Sequence, residues 1–116
     1  MILPPRRVLR NTLNNYLKFE SWCSQDGNYE LKRGHIRINF SDLKKCLEGL
    51  PPRKMQALWL NVICDKSQHD VAREMGIAPG SVGQYVDHAM REVSLKLFPD
   101  LDQDTGEKLK SGGFAG

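Results

Sequence analysis

The chain predicts an all-α fold: a small helical domain with a C-terminal helix-turn-helix, and one short β-hairpin or extended segment near residues 29–40. Three observations carry that prediction. Apolar residues recur every three or four positions through most of the 116 residues. Gly76 separates two such stripes, Val71-Ala72-Met75 and Val82-Val86-Ala89, by no more than a tight turn. Only His35 to Phe40 alternates polar and apolar residues, as a strand does. A chain of this length makes one domain around one small core.

Taken in order, Pro4-Pro5 precedes a helix expected over about Arg6 to Trp22, with Leu9, Leu13, Tyr16 and Leu17 as its stripe. Arg6, Arg7 and Arg10 gather at its start, against the helix dipole. That cluster is either a solvated basic face or a surface for an acidic partner such as DNA phosphate. Leu9, Leu13 and Leu17 in line are either the seam of a homodimer or part of the monomer's own core. Asp26-Gly27-Asn28 signals a loop. His35 to Phe40 then reads as a strand, with Tyr29 and Leu31 as a short partner turning at Arg33-Gly34. A lone hairpin is marginal, so the expectation is an extended segment packed on the helices. Ser41 is expected to cap a further helix, with Leu43, Cys46, Leu47 and Leu50 inward and Gly49 near its end. Pro51-Pro52 start the next, where Met55, Leu58, Trp59, Val62 and Ile63 give the strongest helical stripe in the chain. Trp59 reads as core.

Ser67 to Val86 is the stretch around which the rest is organised. Ser67 caps a helix, and Asp70 three residues on makes an approximate capping box. Gly76 ends that helix, because glycine enters the left-handed region without steric cost. Ile77 is the buried plug of the turn. Ala78 is a poor cap, but Pro79 suits the first helical position, where its missing N–H costs nothing. Val82, Val86, Ala89, Val93 and Leu97 then make one long helix, closed by Pro99. Small Ala72 suits the steep crossing of the two helices. Beyond Pro99, residues such as Asp104, Thr105-Gly106 and Ser111-Gly112-Gly113 are too polar and glycine-rich to bury much surface. The expected organisation is a helical or extended segment over 1–49 packing on the core, the helix-turn-helix over 50–98, and a flexible tail over 99–116.

Composition excludes more than it selects. The formal charge of +3 is mild. Residues 1–50 hold nine Lys/Arg against five Asp/Glu, so the basic excess lies outside the helix-turn-helix. Cys23, Cys46 and Cys64 are odd in number and widely spaced, which favours buried free thiols over disulfides or a zinc site. No apolar run approaches the roughly 18 residues of a membrane span, so the expectation is a cytoplasmic, nucleoid-associated protein without a membrane partner. His35, His69 and His88 lie in separate segments without a metal-ligand spacing, and no nucleophile elbow or phosphate loop is present. The reading is a non-enzyme with no cofactor and no metal.

Three blocks carry a family resemblance. They are Leu50-Pro51-Pro52-Arg53-Lys54-Met55-Gln56-Ala57-Leu58-Trp59-Leu60, then Ser67 to Ile77, then Gly80-Ser81-Val82 with the long helix behind it. In order and spacing they resemble region 4 of sigma-70-type transcription factors, closest to the extracytoplasmic-function group, over about Leu50 to Phe98. Nothing before Leu50 looks like the sigma region 2 that binds core polymerase and melts promoter DNA, so the chain is not expected to initiate transcription alone. The resemblance implies a module that reads double-stranded DNA with its last helix and also docks on RNA polymerase.

On the phase set by Val82 and Val86, the residues that reach base edges are drawn from Pro79, Gly80, Ser81, Gly83, Gln84 and Asp87. Gln84 is the foremost of them, since its amide both donates and accepts, as adenine requires. Asp87 either accepts from cytosine or repels phosphate. Phosphate contacts are assigned to Lys66, Ser67, Gln68 and Arg73, then to Arg53, Lys54 and Arg91, and to the N-terminal Arg6, Arg7 and Arg10. Gly83 and Tyr85 stand where sigma-like readers usually carry Lys or Arg. Tyr85 is either an exposed, flat contact surface or core. Affinity for DNA depends heavily on phosphate neutralisation, so the expectation is weak intrinsic binding unless the N-terminal arginines contribute. The first functional reading is a sequence-specific DNA-binding transcription regulator of sigma region 4 type, phage- or mobile-element-derived. The alternative is a protein-interaction module that docks on RNA polymerase or a sigma factor. A third is one half of a split sigma factor.

Overall fold

The computed structural model of the chain describes residues 4–26, 30–34 and 36–102. Gly27-Asn28, Tyr29, His35 and the tail from Asp104 onward, all read above, lie outside the described residues. The described part is mostly helical with one two-stranded hairpin, as the residue patterns predict.

Helix α1 spans Pro5–Asn14, with extended Pro4 before it and Pro5 at its first position. It buries Val8, Leu9, Thr12 and Leu13 on one side. The single helix expected over 6–22 is in fact two. At Asn15 the backbone leaves helical geometry and the side-chain amide donates to the Asn11 carbonyl at 2.9 Å, after which α2 runs Tyr16–Asp26. The break turns Tyr16 and Phe19 inward and leaves Leu17 exposed, so Leu17 is not part of the stripe. Leu9 and Leu13 are fully buried within the chain and do not form a dimer seam.

Strands β1 (Glu30–Arg33) and β2 (Ile36–Asn39) pair antiparallel, Leu31 opposite Ile38 and Arg33 opposite Ile36. Gly34, at φ +60°, supplies the left-handed residue that a tight hairpin needs. Leu31, Ile36 and Ile38 point into the core, and that burial holds a hairpin too small to stand alone. Helix α3 (Phe40–Glu48) is capped by Asn39, not by Ser41: the Asn39 side chain accepts from the Asp42 amide at 3.2 Å. Phe40, the last apolar residue of the strand-like alternation, is already helical.

Helix α4 (Pro52–Leu58) continues into a π-helical turn over Trp59–Ile63, in which the Cys64 amide reaches back to the Trp59 carbonyl at 2.8 Å. Leu58, Val62 and Ile63 are buried, while Met55 and Trp59 are half-buried against the core. Tyr16 ties the two halves together, with its ring 5.2 Å from Phe40 and edge-on to Trp59 at 5.8 Å. Trp59 is therefore core, as expected. The thiols are not uniformly buried: Cys64 is exposed and Cys46 half-buried. Burial raises the Cys46 pKa, more than nearby Lys96 lowers it.

Helices α5 (Gln68–Met75) and α6 (Pro79–Leu97) close the fold. α6 is the hub, because α1, α3, α4 and α5 all pack on it. Its buried residues Val82, Val86, Ala89, Met90 and Val93 repeat at helical spacing. Everything that positions the outer face of α6 is therefore part of the main core.

Candidate nucleic-acid interface

The turn between α5 and α6 is built as its residues dictate. The Ser67 hydroxyl accepts from the Asp70 amide at 3.1 Å and caps α5. Gly76 sits at φ +68°, and the Ile77 amide closes back onto the Ala72 carbonyl at 3.0 Å. Val71 and Ala72 are buried against α6; Ile77, expected to be buried, is half-buried and packs on the core. Ala78 is extended and offers no side-chain cap, and Pro79 starts the helix.

The residues assigned to base edges do not all face outward. Gly80, Gln84 and Asp87 are exposed and share one stripe at helical spacing along the N-terminal half of α6. Pro79, Ser81 and Gly83 are half-buried. A β-carbon at Gly83 would sit 3.4 Å from the Gln68 amide nitrogen, so the Gln68 side chain lies over this glycine where α5 crosses α6. Gly80 is different: a β-carbon there would meet nothing within 4 Å. Tyr85 packs half-buried against the core, which settles its two readings toward structure.

Several of the assigned cations already hold carboxylates. Lys54 Nζ lies 2.6 Å from Glu92 Oε1, and that hydrogen bond lowers the Glu92 pKa against a smaller desolvation effect. Lys66 Nζ lies 2.7 Å from Glu74 Oε1, which raises the Lys66 pKa. Arg6 Nη2 lies 2.7 Å from Asp87 Oδ1, across 81 residues of sequence. Asp87 is thus held by an arginine of α1. Arg53, Arg73 and Arg91 are exposed, as are Ser67 and Gln68 at the start of α5. Arg7 and Arg10 are exposed beside the Arg6–Asp87 pair, and all four line one cleft between α1 and α6 whose floor is Met90.

Sequence reasoning missed the Arg6–Asp87 pair, the Gln68 cover on Gly83 and the π-helical turn. The one available signal was the unfavourable crowding of arginines at the start of α1, which asks for an anionic neighbour. Among the described residues no cluster of His, Cys, Asp or Glu is placed to hold a metal ion, and no helix is long and apolar enough to cross a membrane.

The comparison with family models agrees with this geometry. Residues 40–93, from the start of α3 to Val93, the last apolar residue buried on α6, match the family described as Sigma-70, region 4. No curated protein and no solved structure matches the chain. Sigma-70 region 4 domains are non-enzymatic and bind DNA and the RNA polymerase core, so the matched segment points to a DNA-binding or sigma-related role in transcription. The segment 40–93 is therefore a sigma-70 region 4-like helix-turn-helix.

Proposed function

We propose that the chain is a sequence-specific, double-stranded-DNA-binding transcription regulator in which α6 reads the major groove and α5 lies across the backbone. One observation carries the reading: Gly80, Gln84 and Asp87 form an exposed stripe on the first turns of α6, directly after an ordered turn that fixes the angle of entry. Gln84 on that stripe has the donor and acceptor pair that adenine presents a partner for. Ser67, Gln68 and Arg73 are exposed on α5, where a backbone-crossing helix needs phosphate donors.

The test is fluorescence anisotropy with a set of duplexes at several salt concentrations. Arg73→Ala is expected to weaken binding to all duplexes alike, and Gln84→Ala to flatten the preference among them, both with unchanged folding. Unchanged binding in both variants would overturn the reading. A second reading is docking on RNA polymerase or a sigma factor. It is favoured by a groove with an apolar floor of Leu47, Leu50, Pro52, Met55 and Trp59, edged by Glu20, Lys44 and Glu48, in which no residue of α5 or α6 takes part. Met55→Glu would abolish co-purification with polymerase while leaving DNA binding intact if that groove is the docking surface. Retained co-purification would exclude it.

A further inference from the structure

The cleft between α1 and α6 lies outside the matched helix-turn-helix on its α1 side, yet it adjoins the outer stripe of α6. Three guanidinium groups, those of Arg6, Arg7 and Arg10, face one carboxylate, that of Asp87. Arg6 is committed to Asp87 at 2.7 Å. Arg7 and Arg10 have no ion pair among the described residues. The cleft therefore carries a net positive charge of about two over an apolar floor, Met90, along which arginine stems pack well.

Charge placement argues that an anion belongs there. Cations at a helix N-terminus oppose the dipole, and α1 has no acidic residue in its first turn to offset them. Three arginines within about 6 Å of helix rise also repel one another. Asp87 relieves only part of this. Meanwhile two of the cations assigned to phosphate in the reader unit, Lys54 and Lys66, are held by Glu92 and Glu74, which leaves Arg53, Arg73 and Arg91 there. Asp87 stands roughly 12 Å along α6 from Pro79, beside the stripe that carries Gly80 and Gln84. A duplex engaged by that stripe brings its sugar-phosphate backbone past the flank of α6, where the cleft opens.

We propose that this cleft binds a backbone phosphate of the duplex read by α6, with Arg7 and Arg10 as ligands and the Arg6–Asp87 pair fixing the start of α1 beside α6. The assignment rests on the DNA-reading function proposed above. Asp87 is then a positioning residue: it accepts from Arg6 Nη2 at 2.7 Å and holds the arginine-bearing start of α1 against α6. The site adds affinity to any duplex sequence and leaves base preference to α6.

The experiment compares the full chain with Arg7→Gln/Arg10→Gln, and with Lys32→Gln/Arg33→Gln as a charge-matched control on the hairpin, where β2 packs on α3. All four residues are exposed, so circular dichroism should report intact folds. Anisotropy titrations use a mixed-sequence 20-base-pair DNA duplex over a range of salt concentrations. The expected result is roughly tenfold weaker binding for the α1 variant. Its slope of log affinity against log salt should fall by about 0.9, the value for one phosphate. The hairpin control should keep the wild-type slope, and the ratio of affinities between two duplex sequences should be unchanged in the α1 variant. If wild type binds with a steep salt dependence and the α1 variant loses no more than the control, the cleft is not a phosphate site, while the α6 reading stands. If wild type fails to bind even at low salt, the DNA-reading function falls and the cleft assignment falls with it.

Discussion

Replacing Gly80 by alanine adds a methyl group to the first turn of α6 at a point where the structure places nothing within 4 Å of it. Its backbone lies in the ordinary helical region, so alanine meets no strain there. A helical glycine costs about 0.5–1 kcal/mol relative to alanine. The substitution should therefore stabilise the chain by about that amount and raise the melting temperature by roughly 2–4 °C. Gly83→Ala supplies the contrast. Its methyl would sit 3.4 Å from the Gln68 amide nitrogen and 3.9 Å from Gln68 Cδ, so Gln68 has to yield part of the space. The gain should be smaller, and adding Gln68→Ala should restore it, a coupling that a double-mutant cycle reads directly. Circular dichroism melts and urea titrations of the four proteins measure all of this. A lower melting temperature for Gly80→Ala would refute the reasoning, because it would mean the position is constrained by the fold. A stabilised Gly80→Ala that binds duplex DNA more weakly would identify a residue kept small for a ligand's close approach.

Three further outcomes follow from local geometry. Ser67→Ala removes the acceptor for the Asp70 amide and should lower stability by about 1 kcal/mol in urea denaturation, with Ser67→Asp recovering most of it. Asp65 holds φ +58°, so Asp65→Val should cost about 1–2 kcal/mol, while Asp65→Asn should be nearly neutral in the same assay. The Glu92 pKa is lowered by Lys54, so the ionised carboxylate is favoured in the folded chain. That contribution is present above the ordinary carboxylate range, around 4.5, and is lost as pH falls through the depressed value. Glu92→Gln should thus be slightly less stable than wild type near pH 7, by less than about 1 kcal/mol for this part-buried surface pair, and the two should converge in acid.

Local chemistry was legible in the residues, and contacts across the chain were not. Ser67, Gly76 and Pro79 act within one or two turns of themselves, so their roles can be read from type and spacing alone. The stripe Val82, Val86, Ala89, Val93 reports burial whatever covers it. Asn39 shows where local reading becomes ambiguous. Asn39 and Ser41 are both competent caps, and the choice between them depends on how Phe40 enters the core. Asn15 broke a helix that the periodicity of Leu9, Leu13 and Tyr16 carries straight through, because α2 must turn to set Tyr16 between Phe40 and Trp59. The outward face of α6 was half right for the same reason. Phase places Gly83 outside, and only the crossing of α5 brings Gln68 onto it.

The weak charge of the α6 outer face and the arginine cluster of α1 are one arrangement. α6 spends its inner faces on four neighbouring helices and keeps the stripe of Gly80, Gln84 and Asp87 exposed on its N-terminal half, and α1 docks along the edge of that stripe. A lysine at position 87, of the sort a self-sufficient reader helix would favour, would stand against Arg6 with Arg7 and Arg10 close by. Like charges at such separations cost the fold what they add to phosphate affinity. An aspartate there fixes Arg6 at 2.7 Å and lets α1 remain packed with its other two arginines exposed at the rim. The negative charge that argues against DNA binding when α6 is considered alone is, in the folded chain, the contact that brings an N-terminal basic cluster to the side of α6. Charge counted along α6 alone therefore understates the positive charge on this side of the chain, and α6 and α1 have to be treated as a single electrostatic surface.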